Sequence, residues 1–160
     1  MNLQPQQPLE QDDAIAVEGT AIRLLASREH TRFELRRKLG RRHADGDLIE
    51  AVLDDLEQRR LLSDERFAEG YVEQRSRKGF GPLRIRAELA ERGIGGELSS
   101  RWLDDGPHDW NELLAEAAVR KFGEDPATDM RALAKRGRFL EQRGFPIGLV
   151  RRYLDRVRDF

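Results

Sequence analysis

The hydrophobic positions of this chain follow helical spacing. Apolar residues recur three and four positions apart in short stretches, for example at Ile49, Val52, Leu53 and Leu56, which is the pattern of a helix with one buried face. No segment shows the alternation of apolar and polar residues that is typical of a half-buried strand. The pattern predicts an all-α protein of about nine short helices.

This helical pattern occurs three times along the chain. An offset of about 50 residues aligns leucine, bulky, aspartate and turn positions, as at Leu39, Leu89 and Leu140. Each aligned unit contains three amphipathic stretches, so we interpret it as a three-helix repeat. Repeats of this kind contact mainly their neighbours, which favours an elongated, curved array.

The breaks in the pattern place the boundaries of the repeats. We predict repeat 1 over 14–62, repeat 2 over 63–105 and repeat 3 over 106–160. Residues 1–13 are rich in Gln, Pro and acidic residues, which predicts a disordered tail.

Short signals mark where helices begin and end. Thr31 with Glu34 three residues later forms a capping box, and Ser63 is a cap signal at the start of repeat 2. Pro82 fits the first turn of the middle helix of repeat 2. Gly93 suits a left-handed C-cap that an apolar residue follows.

The residue types exclude several classes of chemistry. The absence of cysteine removes disulfides, thiolate nucleophiles and Cys-ligated zinc. His30, His43 and His108 lack metal-ligand spacing, and the segment 79–82 is an inter-helix turn without the Walker pattern, in which Phe80 is expected to be exposed. We therefore predict that the protein is not an enzyme and that it binds no cofactor or metal. No apolar stretch is long enough for a membrane span and no leader pattern is present, which predicts a cytoplasmic protein.

Charge is segregated along the chain although its total is nearly balanced. The chain has 29 basic and 30 acidic residues, so no bulk positive field indicates nucleic-acid binding. Basic residues cluster over 23–42, 66–92 and 131–158, and acidic residues concentrate between them. If the middle helices of successive repeats share one side, the clusters form a basic stripe that suits phosphates or an acidic protein groove. A mixed, solvated surface is the alternative.

The candidate binding residues are fifteen arginines and lysines selected from these clusters. They are Arg36, Arg37, Lys38, Arg41, Arg42, Arg75, Arg77, Lys78, Arg84, Arg86, Arg92, Arg138, Arg143, Arg151 and Arg152.

The middle of the chain resembles a known family. The run LLSDERFAEGYVEQR at 61–75, followed by GFGPLRIRAEL at 79–89 and RGI at 92–94, strongly resembles the signature of the RecX family. The run RFELRRKL at 32–39 in repeat 1 is also similar to that family, and repeat 3 matches least.

The resemblance implies a small helical regulator of the RecA recombinase. Members of the family bind in the groove of the RecA filament on single-stranded DNA, and inhibit ATPase and strand exchange by blocking filament growth or promoting disassembly. It implies a negative regulator in recombination, repair and the SOS response, and leaves weak direct DNA contact open. A monomer fits such a groove-binding regulator best. Within the signature, Arg75, Arg84 and Arg92 are the best candidates, although Arg84 and Arg92 also suit structural pairing with Glu88. The alternative is a direct DNA-binding protein with tandem helix-turn-helix-like units.

Overall fold

The described residues form an all-α protein, as predicted. The computed structural model describes residues 7–160, which contain nine helices and, besides these, one isolated bridge between Ala127 and Arg158. The helices are α1 (Gln7–Ser27), α2 (Arg32–Gly40), α3 (Gly46–Gln58), α4 (Asp64–Arg77), α5 (Pro82–Glu91), α6 (Gly96–Leu103), α7 (Trp110–Phe122), α8 (Met130–Gln142) and α9 (Ile147–Val157). None of the helices among these residues is long and apolar enough to cross a membrane.

The start of α1 differs from the predicted tail. Residues 1–6 lie outside the described residues, whereas residues 7–13 are helical. Composition favoured disorder there, but Pro8 stands in the first turn, where a helix tolerates proline. Because helix growth is cooperative, the packed later turns of α1 support these residues.

The chain divides into two compact units, one ending at Phe67 and the other starting at Ala68. In the first unit, α1, α2 and α3 share one core. Its buried members are Val17, Ala21, Leu35, Leu39, Ile49, Val52, Leu53, Leu56 and Leu62. They include Ile49, Val52, Leu53 and Leu56, the apolar stripe that the sequence pattern predicts for α3.

The second unit contains the core of repeat 3, between α7, α8 and α9. Its buried members are Leu114, Ala117, Ala118, Leu140, Phe145, Val150 and Tyr153. In repeat 2, Val72 of α4, Ile85 and Leu89 of α5 and Leu103 of α6 are buried as well. Between α7 and α8, the N–H of Ala127 donates to Val157 O at 2.8 Å.

The predicted cap signals are confirmed. Thr31 Oγ1 accepts a hydrogen bond from the N–H of Glu34 at 3.1 Å, and Ser63 Oγ accepts one at the start of α4. Pro82 begins α5. Gly93 has φ of 79° and is followed by Ile94, whose N–H donates to the last turn of α5 at 3.0 Å.

Repeats 2 and 3 meet at two glycines in the second unit. The N–H of Gly81 donates to Arg143 O at 2.7 Å, and the N–H of Leu83 donates to Gly144 O at 3.0 Å. A Cβ on Gly81 would lie 2.4 Å from the backbone of Gly144, and Gly144 itself has φ of +96°. The contact between the two turns therefore requires glycine at both positions.

Candidate functional site

The basic surface of α2 is partly neutralised by α3. Arg36 forms an ion pair with Glu50, and Arg32 contacts the same carboxylate at 2.6 Å. These hydrogen bonds, first from Arg36 and then from Arg32, lower the pKa of Glu50 to about 2. Arg36 therefore joins α2 to α3 with its charge already compensated.

Lys38 lies against a buried histidine. Its Nζ is 2.9 Å from Nε2 of His30, whose Nδ1 is 3.0 Å from Arg28 O. His30 is 1 % exposed, and burial lowers its pKa below 6.5. The geometry fits a neutral ring that donates through Nδ1–H to the carbonyl and accepts from the lysine through Nε2.

We expect His30 to make the stability of the protein depend on pH. Its pKa is lower in the folded state than the unfolded value of 6.5, so its stabilising contribution is complete above that value and is lost as the pH falls through the folded pKa. Urea unfolding should show a loss of stability between about pH 7.5 and about pH 5 that is smaller in His30→Gln. An equal loss in both proteins would contradict the assignment.

Three uncompensated cations of repeat 1 lie at the C-terminal end of α2. Arg37, Arg41 and Arg42 are exposed, and none of them forms an ion pair with another described residue. The guanidinium of Arg37 lies 5.7 Å from the Phe33 ring centre. These three cations are available to an external anion.

The Glu88 carboxylate accepts hydrogen bonds from two basic side chains of repeat 2. Arg75 contacts its carboxylate twice, at 2.8 and 2.7 Å, and Arg84 contacts it at 3.2 Å. Tyr71 donates its hydroxyl at 2.6 Å. Burial alone would raise the pKa of Glu88, but the hydrogen bonds from Arg75, Tyr71 and Arg84 outweigh it and lower that pKa. Burial of the Tyr71 side chain and its hydrogen bond to Glu88 raise the pKa of Tyr71 to about 12.

Three arginines cover Phe80. The guanidinium groups of Arg75, Arg84 and Arg143 lie 3.8, 4.5 and 4.6 Å from the centre of its ring, within the range of cation–π contacts. Phe80 is half-buried, so the expectation that it is exposed is wrong. The reason is tertiary, because Arg143 reaches the ring from repeat 3.

The other predicted arginines of repeat 2 also have partners inside the protein. Arg86 pairs with Asp104 at 2.7 Å and holds the pKa of that carboxyl below its usual range. The exposed Arg77 pairs with Glu73 at 2.7 Å. Arg92 donates to a backbone carbonyl of α5 at 2.8 Å. The predicted structural pairing of Arg84 with the Glu88 carboxylate is confirmed. Arg92 donates to the backbone carbonyl of the same residue.

Repeat 3 presents a second set of uncompensated cations. Arg138, Arg151 and Arg152 are exposed and form no ion pair with another described residue. Lys78, directly after α4 in repeat 2, is also exposed and forms no ion pair with another described residue. These side chains, with Arg143, carry the remaining predicted charge of the second unit.

Two cations beside Lys78 and Arg143 were not among the predicted residues. Arg120 and Lys121 on α7 line a cavity with them. They belong to a segment in which acidic residues predominate, so no local charge cluster identified them.

Each of the three repeats matches a model of a known protein family. The chain matches the family models described as RecX first, second and third three-helix domain, over residues 19–56, 63–101 and 109–154 respectively. The chain belongs to the RecX family. The resemblance seen in the signature segments is confirmed, and it extends to repeat 3.

Curated RecX relatives are similar over most of their length. The chain is 45 % identical over 143 residues to "Regulatory protein RecX" of Pseudomonas syringae pv. tomato, covering 89 % of this chain and 92 % of the relative. It is 44 % identical over 147 residues to the protein of the same name from Pseudomonas savastanoi pv. phaseolicola, covering 92 % and 95 %. The RecX family to which this chain belongs is a family of regulatory proteins.

Solved RecX structures share the fold. A crystal structure of RecX from Lactobacillus salivarius superimposes with a TM-score of 0.75 at 22 % identity, covering 92 % of this chain and 97 % of that chain. A second crystal structure, of regulatory protein RecX, gives 0.76 at 22 % identity, covering 97 % and 79 %. The three tandem helical domains predicted from the repeats are therefore those of RecX.

Proposed function

We propose that this chain is a negative regulator of the RecA recombinase. It binds in the groove of the RecA filament on single-stranded DNA and inhibits ATPase and strand exchange by blocking filament growth or promoting disassembly. It acts without catalysis of its own, as a monomer in the cytoplasm. The observation that carries the proposal is the match of all three RecX domains in order along the chain.

The distribution of free charge supports a role in binding. Among the described residues, exposed cations without an ion-pair partner occur at the end of α2 and on α8 and α9, for example at Arg41, Arg42, Arg138, Arg151 and Arg152. Complementary charge at an interface speeds association and orients the partner. Acidic surfaces of a protein filament fit this distribution.

The charges that the protein itself neutralises are poorer contact candidates. Arg36, Arg84 and Arg86 each bind a carboxylate of a neighbouring turn or helix. Reversing any of them would disturb these ion pairs as well as the surface. The contact model is therefore tested at cations whose removal breaks no internal ion pair.

The first experiment measures RecA ATPase on single-stranded DNA while the protein is titrated in, beside a DNA-binding titration of the protein alone. We expect inhibition well below one protein per RecA, with weak binding to DNA alone. No inhibition together with tight, salt-sensitive DNA binding would overturn the proposal and favour the direct DNA-binding alternative.

Charge reversal tests the contact surface. The test variant combines Arg41→Glu, Arg42→Glu, Arg151→Glu and Arg152→Glu. We expect the concentration that gives the same ATPase inhibition to be at least about tenfold higher for this variant than for the wild type. The matched control also reverses four exposed cations, which lie outside the predicted site: Arg23, Arg131, Lys135 and Arg156. Equal inhibition by the fourfold variant and the wild type, with helicity preserved, would exclude these contacts.

A further inference from the structure

A small cavity in the second unit gathers cations from three helical segments. Its volume is about 210 Å³. Lys78 and Gly79 approach from the end of α4, Arg120 and Lys121 from α7, and Arg143 from the end of α8. Phe139 contributes an apolar wall. Four positively charged side chains thus converge on one cavity.

The charge of this cavity is uncompensated. Neither Lys78, Arg120, Lys121 nor Arg143 forms an ion pair with another described residue, and the lining contains no carboxylate. The nearby Arg75, in contrast, is neutralised by Glu88. Like charges held close together repel each other unless an anion lies between them. The uncompensated positive charge of this cavity therefore favours the binding of an anion.

Internal contacts hold these cations in place. Arg120 Nη1 donates to Arg77 O at 2.9 Å, and Arg143 Nη1 donates to Lys78 O at 3.4 Å. The guanidinium of Arg143 also lies 5.0 Å from the centre of the Phe139 ring. Because these bonds use neutral carbonyls and a ring, they position the guanidinium groups without cancelling their charge.

Gly79 shapes the same wall. It has φ of +85°, and a Cβ at this position would lie 3.4 Å from Nη2 of Arg120 and 3.3 Å from the Ala117 side chain. The absence of a side chain lets the α4 turn approach α7 closely. This approach brings Lys78 beside the two cations of α7.

We propose that this cavity binds phosphate. A carboxylate carries one negative charge, whereas closely spaced phosphate groups offer several charges and many oxygen acceptors to two guanidinium forks and two ammonium groups. The two sources of such phosphate are the polyphosphate of a nucleoside triphosphate and consecutive phosphates of a nucleic-acid strand. The site does not depend on the proposed regulation of RecA.

The test measures binding of the full-length protein to ATP without metal, to tripolyphosphate, to a short oligothymidylate and to a glutamate oligopeptide. We expect the double variant Lys78→Gln, Lys121→Gln to bind the phosphate probes about tenfold more weakly than the wild type. Both lysines are exposed, so the urea midpoint should remain unchanged. The matched control is Lys135→Gln, an exposed lysine of α8 that does not line the cavity.

The outcomes distinguish the two sources of phosphate from each other and from binding of an acidic peptide. A loss confined to ATP and tripolyphosphate supports a polyphosphate, a loss confined to the oligothymidylate supports a strand, and a loss in both supports the shared phosphate chemistry. The proposal is overturned if no phosphate probe binds, or if Lys135→Gln weakens binding as much as the double variant. It is also overturned if the glutamate oligopeptide binds as tightly and responds in the same way.

Discussion

Replacing Gly144 with Ala is expected to lower the free energy of unfolding by about 3 kcal/mol or more. Two costs combine at this residue. Its φ of +96° is a conformation that residues with a side chain rarely adopt, and a Cβ would lie 2.4 Å from Cβ of Arg84. The turn must move, which weakens the hydrogen bond from Leu83 N–H to Gly144 O.

Urea unfolding followed by circular dichroism measures this effect. Hydrogen exchange adds a local readout, since the amide protons of Gly81 and Leu83 should exchange faster in Gly144→Ala. The matched control is Gly148→Ala, since Gly148 lies in α9 with open space around it. Alanine there should be neutral or stabilise by up to about 1 kcal/mol. An unchanged urea midpoint for Gly144→Ala would show that the turn adapts.

Removing the charge of Glu88 is expected to cost about 2 kcal/mol of unfolding free energy. The carboxylate is 16 % exposed and accepts hydrogen bonds from Arg75, Arg84 and Tyr71. Glu88→Gln keeps the shape but leaves two guanidinium groups without their counter-ion. The arginines around Phe80 should then repel each other and lose their order.

The same variant should change the response to acid. The pKa of Glu88 is lowered in the folded protein, so its stabilising contribution is present above the usual glutamate range and is lost as the pH falls through the folded pKa. The wild type should therefore lose its advantage over Glu88→Gln in acid. Glu91→Gln, an exposed residue of the same helix, is the control and should behave as the wild type. A stability difference that does not change with pH would contradict this role of the carboxylate.

The helices of this protein could be predicted with little help from tertiary structure. Apolar spacing identified α3, and the signals at Thr31, Ser63, Pro82 and Gly93 identified helix ends that the structure confirms. Such features depend on residues within one or two turns, so a single sequence contains them. The start of α1 was missed because composition alone does not show how far a packed helix extends.

Which of the cations form ion pairs within the protein could not be predicted from the local sequence. Arg36 and Arg42 belong to the same basic cluster, yet Arg36 is neutralised by Glu50 of α3 while Arg42 is exposed and unpaired among the described residues. The partner of an arginine can lie far away in the chain, and residue counts carry no information about it. Fewer of the predicted cations are therefore free to bind a partner than the sequence indicated.

The sequence by itself determined the all-α class, the three repeats and the RecX resemblance, because each rests on patterns that repeat or match along the chain. Only the tertiary structure decided which cations stay free and that Arg120 and Lys121 join Lys78 and Arg143 at one cavity. It also decided that Phe80 lies beneath three arginines. The physical reason is that charge compensation and cavity formation depend on distances between residues far apart in sequence, which folding sets.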